Sequence, residues 1–101
     1  MPQAKLEAFD EMAVALAGFG RALSHPARIA ILRFMASRGE APCLDIVAAL
    51  PLSQPATSRH ISELTKAGLL QARPHGSHIY YRLERSALEA FCRAMSATLR
   101  P

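Results

Sequence analysis

The sequence predicts a mainly α-helical domain with one small β-hairpin. Apolar residues recur at spacings of three and four along most of the chain, which is the period of amphipathic helices. After Gly68 the pattern changes to alternation, and the turn-forming stretch PHGS, residues 74–77, separates two alternating runs. With 101 residues, the chain is expected to form one domain that spans residues 1–101.

Two helices are predicted in the first part of the chain. The first runs from about Lys5 to Leu23, along an apolar stripe of Leu6, Phe9, Ala13, Leu16, Gly20 and Leu23. The second begins in SHPARIAILRFMAS, where Ser24 is the expected cap and Pro26 lies in the first turn, and it ends near Gly39. Its buried face is expected to consist of Ile29, Leu32 and Met35.

Two further helices are predicted on either side of the break PLS, residues 51–53. The stretch APCLDIVAAL, residues 41–50, predicts a short helix with Pro42 in its first turn. The next helix is expected to begin at the N-cap Ser53 and to run to Ala67. Gly68 then supplies the left-handed residue that ends it.

A hairpin and a fifth helix complete the predicted order. The strands are LLQAR, residues 69–73, and HIYYRL, residues 78–83. The last helix is expected to start with a capping box from Ser86 to Glu89. Its apolar stripe consists of Leu88, Phe91, Cys92, Met95 and Leu99.

Charge and composition narrow the classes of function. The formal net charge of +4 is compatible with nucleic acid or anionic lipid as a partner. No apolar run approaches the roughly 18 residues that cross a bilayer, and the amino terminus lacks a signal-peptide pattern, so we expect a cytoplasmic protein with no membrane partner. The sequence has no phosphate-binding glycine loop, His-Glu-x-x-His motif or nucleophile elbow, which predicts no enzyme and no cofactor.

The outward face of the fourth helix predicts contact with DNA. Thr57, Ile61 and Leu64 mark its buried side. The opposite side and its flanks carry Gln54, Ala56, Ser58, Arg59, Ser62 and Lys66. A helix with such slim, hydrogen-bonding side chains, preceded by a short helix and a tight turn, fits a major groove about 12 Å wide. An ordinary capped surface helix is the alternative interpretation.

Polar and basic residues on the hairpin extend this predicted surface. A hairpin beside a recognition helix can contact neighbouring phosphates or the minor groove. The candidate contact residues are Arg73, His75, Ser77 and Arg82. The alternative interpretation is a hairpin tip that is polar only because it is solvated.

Three stretches resemble, in order and spacing, the ArsR/SmtB family of winged helix-turn-helix repressors. They are ALSHPARIAIL (22–32), LPLSQPATSRHISELTKAGLL (50–70) and GSHIYYRL (76–83). The resemblance implies a homodimeric repressor of transcription that binds an inverted-repeat operator in double-stranded DNA and is released by an inducer. It also implies a dimer interface between the first and last helices, with the candidate residues Leu6, Phe9, Ala13, Leu16, Leu88, Phe91, Met95 and Leu99.

The chain departs from the family pattern at the sites of inducer binding. Arsenic-sensing members carry a Cys-x-Cys pair at the start of the third helix, whereas EAPCLDIV, residues 40–47, contains Cys43 alone. Zinc- and cadmium-sensing members place Asp and His ligands on the last helix, and residues 86–99 contain neither, so no metal site is expected. Thr57 replaces a frequent valine, and its hydroxyl is expected to bond the carbonyl one turn back.

The two cysteines leave a second functional hypothesis open. Cys43 lies where the positive end of a helix dipole favours a reactive thiolate, so it is a candidate sensor thiol for a redox or metalloid signal, although packing alone would also explain it. Cys92 lies on an apolar stripe and is expected to pack in the core or an interface. A docking module that binds protein instead of DNA is the remaining alternative. The operator, the inducer and the regulated genes cannot be read from the sequence.

Overall fold

The computed structural model describes residues 8–101, which form five helices and three strands. In chain order they are α1 (Glu11–Ala22), α2 (Pro26–Arg38), β1 (Glu40–Pro42), α3 (Cys43–Ala48), α4 (Gln54–Lys66), β2 (Leu70–His75), β3 (His78–Leu83) and α5 (Arg85–Thr98). The predicted order of helices and hairpin is confirmed, and β1 is an additional strand that the sequence did not predict.

The first two helices are capped by side chains that the sequence only partly indicates. Asp10 caps α1 by accepting a hydrogen bond from the backbone N–H of Ala13 at 2.8 Å. The predicted start near Lys5 lies outside the described residues. The prediction that Ser24 caps α2 was wrong. His25 is the N-cap, and its Nδ1 accepts a hydrogen bond from the N–H of Ala27 at 3.0 Å. The hydroxyl of Ser24 instead donates to the carbonyl of Arg21, at the end of α1.

The buried face of α2 differs from the predicted one at one of its three residues. Leu32 and Met35 are buried as expected, but Ile29 is 41% exposed and Ile31 is completely buried. The stretch ARIAIL is apolar on both sides of the helix, so spacing alone does not decide which isoleucine faces the core. Packing against α4 and the sheet decides it.

The start of the third helix was predicted too early. Ala41 and Pro42 belong to β1, which pairs antiparallel with β3 in the register Ala41↔Tyr81. The proline ring disfavours helical backbone angles in the residue before it, which explains why Ala41 is extended. The side chain of Ala41 is fully buried, and α3 begins only at Cys43 with Pro42 as its N-cap.

The strands form one antiparallel sheet in the order β1-β3-β2. The β2–β3 hairpin closes at the pair His75↔His78, so its turn is the dipeptide Gly76-Ser77 and is shorter than the predicted one. Gly76 has a φ of 66°, a value that favours glycine. This hairpin is the wing of the structure.

The capping box predicted for the last helix is absent. Glu84 is the N-cap of α5 and makes no side-chain capping bond, while the Ser86 hydroxyl donates to the carboxylate of Glu84 at 3.2 Å. The backbone N–H of Glu84 donates to the carbonyl of Leu69 at 2.8 Å. This bond holds the chain at the end of β3, so the helix starts at Arg85.

One hydrophobic cluster holds the helices and the sheet together. Its buried members come from α1, α2, β1, α3, α4 and the start of β2: Ala22, Ile31, Leu32, Met35, Ala41, Ile46, Ile61, Leu64, Leu69 and Leu70. Ile61 and Leu64 fix α4 in this core by one face, so the orientation of its opposite face is set by packing.

No helix within residues 8–101 combines the length and the apolar character needed to span a membrane.

Candidate nucleic-acid interface

Helix α4 presents the face that the sequence predicts. The Ser53 hydroxyl caps it by accepting from the N–H of Ala56 at 3.2 Å, and Gly68 ends the helical segment with a φ of 84°. The predicted contact residues Gln54, Arg59, Ser62 and Lys66 are exposed, whereas Ala56 and Ser58 are half-buried. The exposed surface of α4 is therefore slim and polar, with basic residues at two positions.

The buried side of α4 contains one unsatisfied polar group. Thr57 is fully buried, and its hydroxyl has no hydrogen-bond partner among the described residues. The expected bond to a carbonyl one turn back is therefore wrong for Thr57, although Thr65 makes such a bond to the carbonyl of Ile61 at 2.8 Å. A buried hydroxyl without a partner costs free energy of folding.

Two flanking residues of α4 already have neighbours in the protein. The Ser58 hydroxyl lies 3.7 Å from the Cys43 sulfur at the start of α3. The Lys66 ammonium lies 3.7 Å from the carboxylate of Glu63 on the same helix. Arg59, by contrast, takes part in no ion pair among the described residues, so its guanidinium is available to a ligand.

The predicted wing residues are held by neighbours in the sheet. Arg73 donates two hydrogen bonds to the Glu40 carboxylate, at 3.0 and 2.7 Å. The hydrogen bonds and the positive charge of Arg73 lower the pKa of Glu40, and the same bonds and the negative charge of Glu40 raise the pKa of Arg73. Arg82 donates to the side-chain oxygen of Gln71 at 2.8 Å. Sequence patterns missed Glu40 because β1 itself was not predicted.

The tip of the wing is exposed and less constrained. His75 contacts Tyr80 edge-on, with ring centroids 5.4 Å apart. Ser77 lies in the two-residue turn and is exposed. The predicted residues of α4 and the wing are thus all on the surface or half-buried, and none is enclosed in the core.

A cluster beside α4 was not predicted as a unit. The Nε of Arg28 donates to the Nδ1 of His60 at 3.1 Å, and the rings of His25 and His60 lie 4.4 Å apart. Burial, followed by the neighbouring charges of His25, Arg28 and Arg59, lowers the pKa of His60. The only sequence signal was the stretch SHPARIAIL, which carries Arg28 but does not indicate its partner.

The predicted dimer residues differ in how much surface they offer. Phe9 and Leu99 are 62% and 73% exposed, and Ala13 is also exposed. Leu88, Phe91 and Met95 are half-buried, and Leu16 is already buried within the single chain. Leu6 lies outside the described residues. Helices α1 and α5 contact each other through Phe19 and Phe91, whose ring centroids are 5.3 Å apart.

The two cysteines lie in different environments. Cys43 is half-buried as the first residue of α3 and lies next to Ser58. The burial of the Tyr81 side chain, followed by the electrostatic effect of the nearby Cys43, raises the pKa of Tyr81. Cys92 is exposed, so it does not pack in the core of the single chain, and packing in an interface stays a prediction. Both are free thiols. No group of three or more His, Cys, Asp or Glu side chains within residues 8–101 is arranged to hold a metal ion.

A family model described as a helix-turn-helix domain matches residues 23–71, from the end of α1 to the start of β2. An arsenic resistance transcriptional regulator of Pseudomonas putida is 38% identical over 63 residues, which are 62% of this chain and 49% of the relative. An HTH-type transcriptional regulator of Methanocaldococcus jannaschii is 32% identical over 76 residues, which are 75% of this chain and 81% of the relative.

Solved structures share the architecture. An ArsR-like transcriptional regulator from Rhodococcus superposes with a TM-score of 0.77 at 27% identity, over 85% of this chain and 80% of that chain. The homodimeric winged helix-turn-helix DNA-binding domain of a possible ArsR-family transcriptional regulator from Mycobacterium bovis superposes with a TM-score of 0.70 at 26% identity, over 89% and 86% of the two chains. The chain spans about half the length of the curated arsenic-resistance relatives that it matches.

Proposed function

This chain belongs to the ArsR/SmtB family of winged helix-turn-helix transcriptional regulators, and we propose that it is a homodimeric repressor that binds an inverted-repeat operator. The family consists of DNA-binding regulators and not of enzymes. A protein with this role works on the chromosome, so the proposal implies a cytoplasmic location.

The exposed face of α4 carries the proposal. The helix has 13 residues and is anchored by Ile61 and Leu64, so its orientation is fixed before any ligand arrives. Its outward side chains are short apart from Gln54, Arg59 and Lys66, and a helix of this width can enter a major groove about 12 Å wide. An amide can pair with an adenine edge, and a guanidinium can pair with a guanine edge.

The proposed division of labour follows the geometry of each side chain. Gln54 and Arg59 read base edges, and Ser62 donates to a base or a phosphate. Lys66, at the last turn of α4, contacts the phosphate backbone. Ser58, which lies next to Cys43 at the start of α3, and Ala56 are half-buried at the side of the helix, where the hydroxyl can donate to a base or a phosphate and the methyl can contact a thymine methyl.

The wing contributes contacts outside the major groove. His75 and Ser77 lie at its tip and Arg73 and Arg82 along its strands. In this proposal they contact phosphates or the minor groove next to the site read by α4. Arg73 can do so only with part of its hydrogen-bonding capacity, because Glu40 takes two of its donors.

Exposed apolar residues on the terminal helices support the dimer. Phe9 and Met12 near the start of α1 and Leu99 after α5 are at least half exposed in the single chain. A second copy that covers them would bring two α4 helices to one face of DNA, roughly 34 Å apart. The homodimeric state of the Mycobacterium bovis domain is consistent with this arrangement.

Selection of duplex DNA from a random pool, followed by gel-shift titration, tests the proposal. We expect an enriched inverted repeat with half-sites one helical turn apart and a steep loss of affinity as salt increases. Equal binding of the enriched and scrambled duplexes would refute sequence-specific recognition and favour the protein-docking alternative. Footprints should cover two successive major grooves on one side of the duplex.

A second candidate function, control by a thiol-reactive inducer, is favoured by one contact. The Cys43 sulfur lies 3.7 Å from the Ser58 hydroxyl, so a group added to the thiol would meet α4 directly. The Pseudomonas putida relative is named as an arsenic resistance regulator. In this hypothesis trivalent arsenic or an oxidant acts at Cys43 and releases the operator.

Titration of the operator complex with trivalent arsenic and with an oxidant tests the second candidate. We expect release of wild-type protein and no release of Cys43→Ser, with unchanged operator affinity before addition. Cys92→Ser is the matched control and should respond like wild type. Release of the Cys43→Ser protein would exclude this thiol as the sensor without affecting the proposed operator binding.

A further inference from the structure

The side chain of Arg28 makes hydrogen bonds to two other helices. Its Nε donates to the Nδ1 of His60 on α4 at 3.1 Å. Its Nη1 donates to the carbonyls of Arg21 and Ala22, at 3.3 and 3.2 Å, in the last turn of α1. Within residues 8–101, no other side chain links α1 to α4 by hydrogen bonds. Arg28 therefore joins these two helices from its position on α2.

The acceptors on α1 suit a positive charge. Carbonyls in the last turn of a helix lack intrahelical partners and carry the negative end of the helix dipole. A planar guanidinium presents its donors in a fixed fork, so it can hold an imidazole nitrogen and two carbonyls at the same time. A lysine ammonium would have the charge without that fixed geometry.

The contact on α4 is supported from a second side. The His25 ring lies 4.4 Å from the His60 ring, and His25 is itself held as the N-cap of α2. The half-buried His60 side chain is therefore contacted by both Arg28 and His25. Arg59 lies next to it in sequence, and Arg21, Glu63 and Lys66 line the same cleft as Arg28.

The two helices joined by Arg28 have different tasks in the proposed function. Helix α1 carries Met12, and Phe9 lies just before its N-cap; both side chains are exposed in the single chain and belong to the proposed dimer interface. Helix α4 carries the face proposed to enter the major groove. In a symmetric dimer, the distance and angle between the two α4 helices depend on how firmly each α4 is fixed to the helices of the interface. These values determine which half-site spacing the dimer fits.

We propose that Arg28 is a positioning residue that fixes α4 relative to α1 and thereby sets the half-site spacing that the dimer accepts. The inference rests on the proposed function, because it concerns how two recognition helices are placed on one operator. Arg28 need not touch DNA in this role. Without its hydrogen bonds, α4 keeps its apolar anchoring but loses the polar link to α1.

Spacing is a sensitive readout because the duplex is helical. Inserting one base pair between the half-sites moves the second site along the axis by about 3.4 Å and rotates it by about 35°. A rigid dimer cannot follow both changes, so we expect the inserted base pair to weaken wild-type binding about tenfold or more. A dimer with loosened α4 helices should tolerate the insertion and bind the correct spacing less tightly.

Operators with zero, one and two inserted base pairs should be titrated against wild type, Arg28→Gln and Arg33→Gln. Arg33 lies on the same helix, is exposed and takes part in no ion pair among the described residues, so both variants lose one positive charge. We expect Arg33→Gln to keep the full spacing penalty and Arg28→Gln to show a penalty of about threefold or less. A general loss of folded protein would weaken all operators equally and leave this ratio unchanged.

Variants of His60 test the same link from the other helix. Asn places an amide oxygen close to the position of Nδ1, so His60→Asn should retain the spacing penalty, whereas His60→Ala removes the acceptor and should reduce it. These variants leave Arg28 in place, so they still test the link should Arg28→Gln fail to fold. If wild type distinguishes the spacings and both Arg28→Gln and His60→Ala lose as much affinity as wild type on insertion of a base pair, the inference about Arg28 is overturned and the proposed function is not. Absence of any spacing preference in wild type would overturn the proposed function together with it.

Discussion

Arg73 on β2 and Glu40 on β1 form a two-bond ion pair across the intervening strand β3, with nitrogen–oxygen distances of 3.0 and 2.7 Å. The side chains of Arg73 and Glu40 both remain partly exposed to solvent. It ties the outer strand of the wing to the strand that leads into α3. It also occupies two donors of a guanidinium that the proposed function assigns to DNA.

Glu40→Gln should therefore strengthen DNA binding. The neutral amide keeps one acceptor oxygen but loses the charge, so Arg73 is held less strongly and can contact a phosphate; one added phosphate contact should steepen the salt dependence of log K by about 0.9. Gel-shift titrations at several salt concentrations measure this slope. Glu89→Gln removes an exposed carboxylate from α5 and is the matched control, which should leave the slope unchanged. An unchanged slope in Glu40→Gln would mean that Arg73 does not reach the backbone.

Arg59 and Lys66 should differ in how their loss affects recognition. Arg59→Ala should cost about 1 to 3 kcal/mol of binding free energy and relax the base preference at one operator position, because a bidentate contact to guanine is lost. Lys66→Ala should weaken binding to all sequences and lower the salt slope by about 1. Titration against single-base operator variants separates the two. A uniform loss with Arg59→Ala would reassign Arg59 to the phosphate backbone.

Thr57→Val should stabilise the protein. The Thr57 hydroxyl is fully buried without a partner among the described residues, and replacing it by a methyl group removes this penalty, for a gain of about 1 kcal/mol. Urea unfolding at a fixed protein concentration measures the change. Thr65→Val is the control on the same helix, since its hydroxyl is bonded to Ile61, and it should not stabilise. A destabilised Thr57→Val protein would show that this hydroxyl has a partner in solution.

Acidification should destabilise the protein through His60. Burial and the charges of His25, Arg28 and Arg59 lower its folded-state pKa below the ordinary value of 6.5, so the unfolded chain binds the proton more readily. The resulting stability is complete above pH 6.5 and is lost as the pH falls from 6.5 through the lower folded-state value. Unfolding curves between pH 7.5 and 5 should show this loss.

His60→Asn is the control for this pH dependence, because it keeps a hydrogen-bond acceptor for Arg28 and cannot be protonated. Its unfolding free energy should vary less with pH over the same interval. The other three histidines, His25, His75 and His78, are present in both proteins. Identical pH profiles for the two proteins would show that His60 does not contribute.

Leu99→Asp should shift the chain from dimer to monomer. Leu99 is 73% exposed at the end of α5, and a carboxylate at this position would be buried without a partner in the proposed interface. Sedimentation equilibrium measures the dissociation constant. Ile79→Asp places the same charge on an exposed apolar residue of the wing and should remain dimeric. An unaltered dissociation constant in Leu99→Asp would move the interface away from the end of α5.

The recognition helix could be predicted from sequence because its determinants are local. Ser53 and Gly68 mark its two ends, and Ile61 and Leu64 identify its buried side, all within 16 residues of chain. The outward residues then follow from helical geometry. The same holds for the hairpin, whose alternation and turn residues are contiguous.

Two of the missed features, β1 and the Arg28–His60 bond, depend on partners distant in sequence. Strand β1 has three residues, too few for a recognisable alternation, and it exists because Ala41 pairs with Tyr81. The Arg28–His60 bond joins residues 32 positions apart. Neither partner carries a local signal of the contact, so only the folded chain brings them together.

The direct junction between β1 and α3 has a mechanical consequence. All three residues of β1 pair with β3, and Cys43 begins α3 immediately after Pro42, so no spare residue is left to serve as a hinge. A force that tilts the wing is passed to α3 as a torque, and from there to the contact of Cys43 with Ser58. We therefore expect the wing, α3 and α4 to move together and not independently of one another.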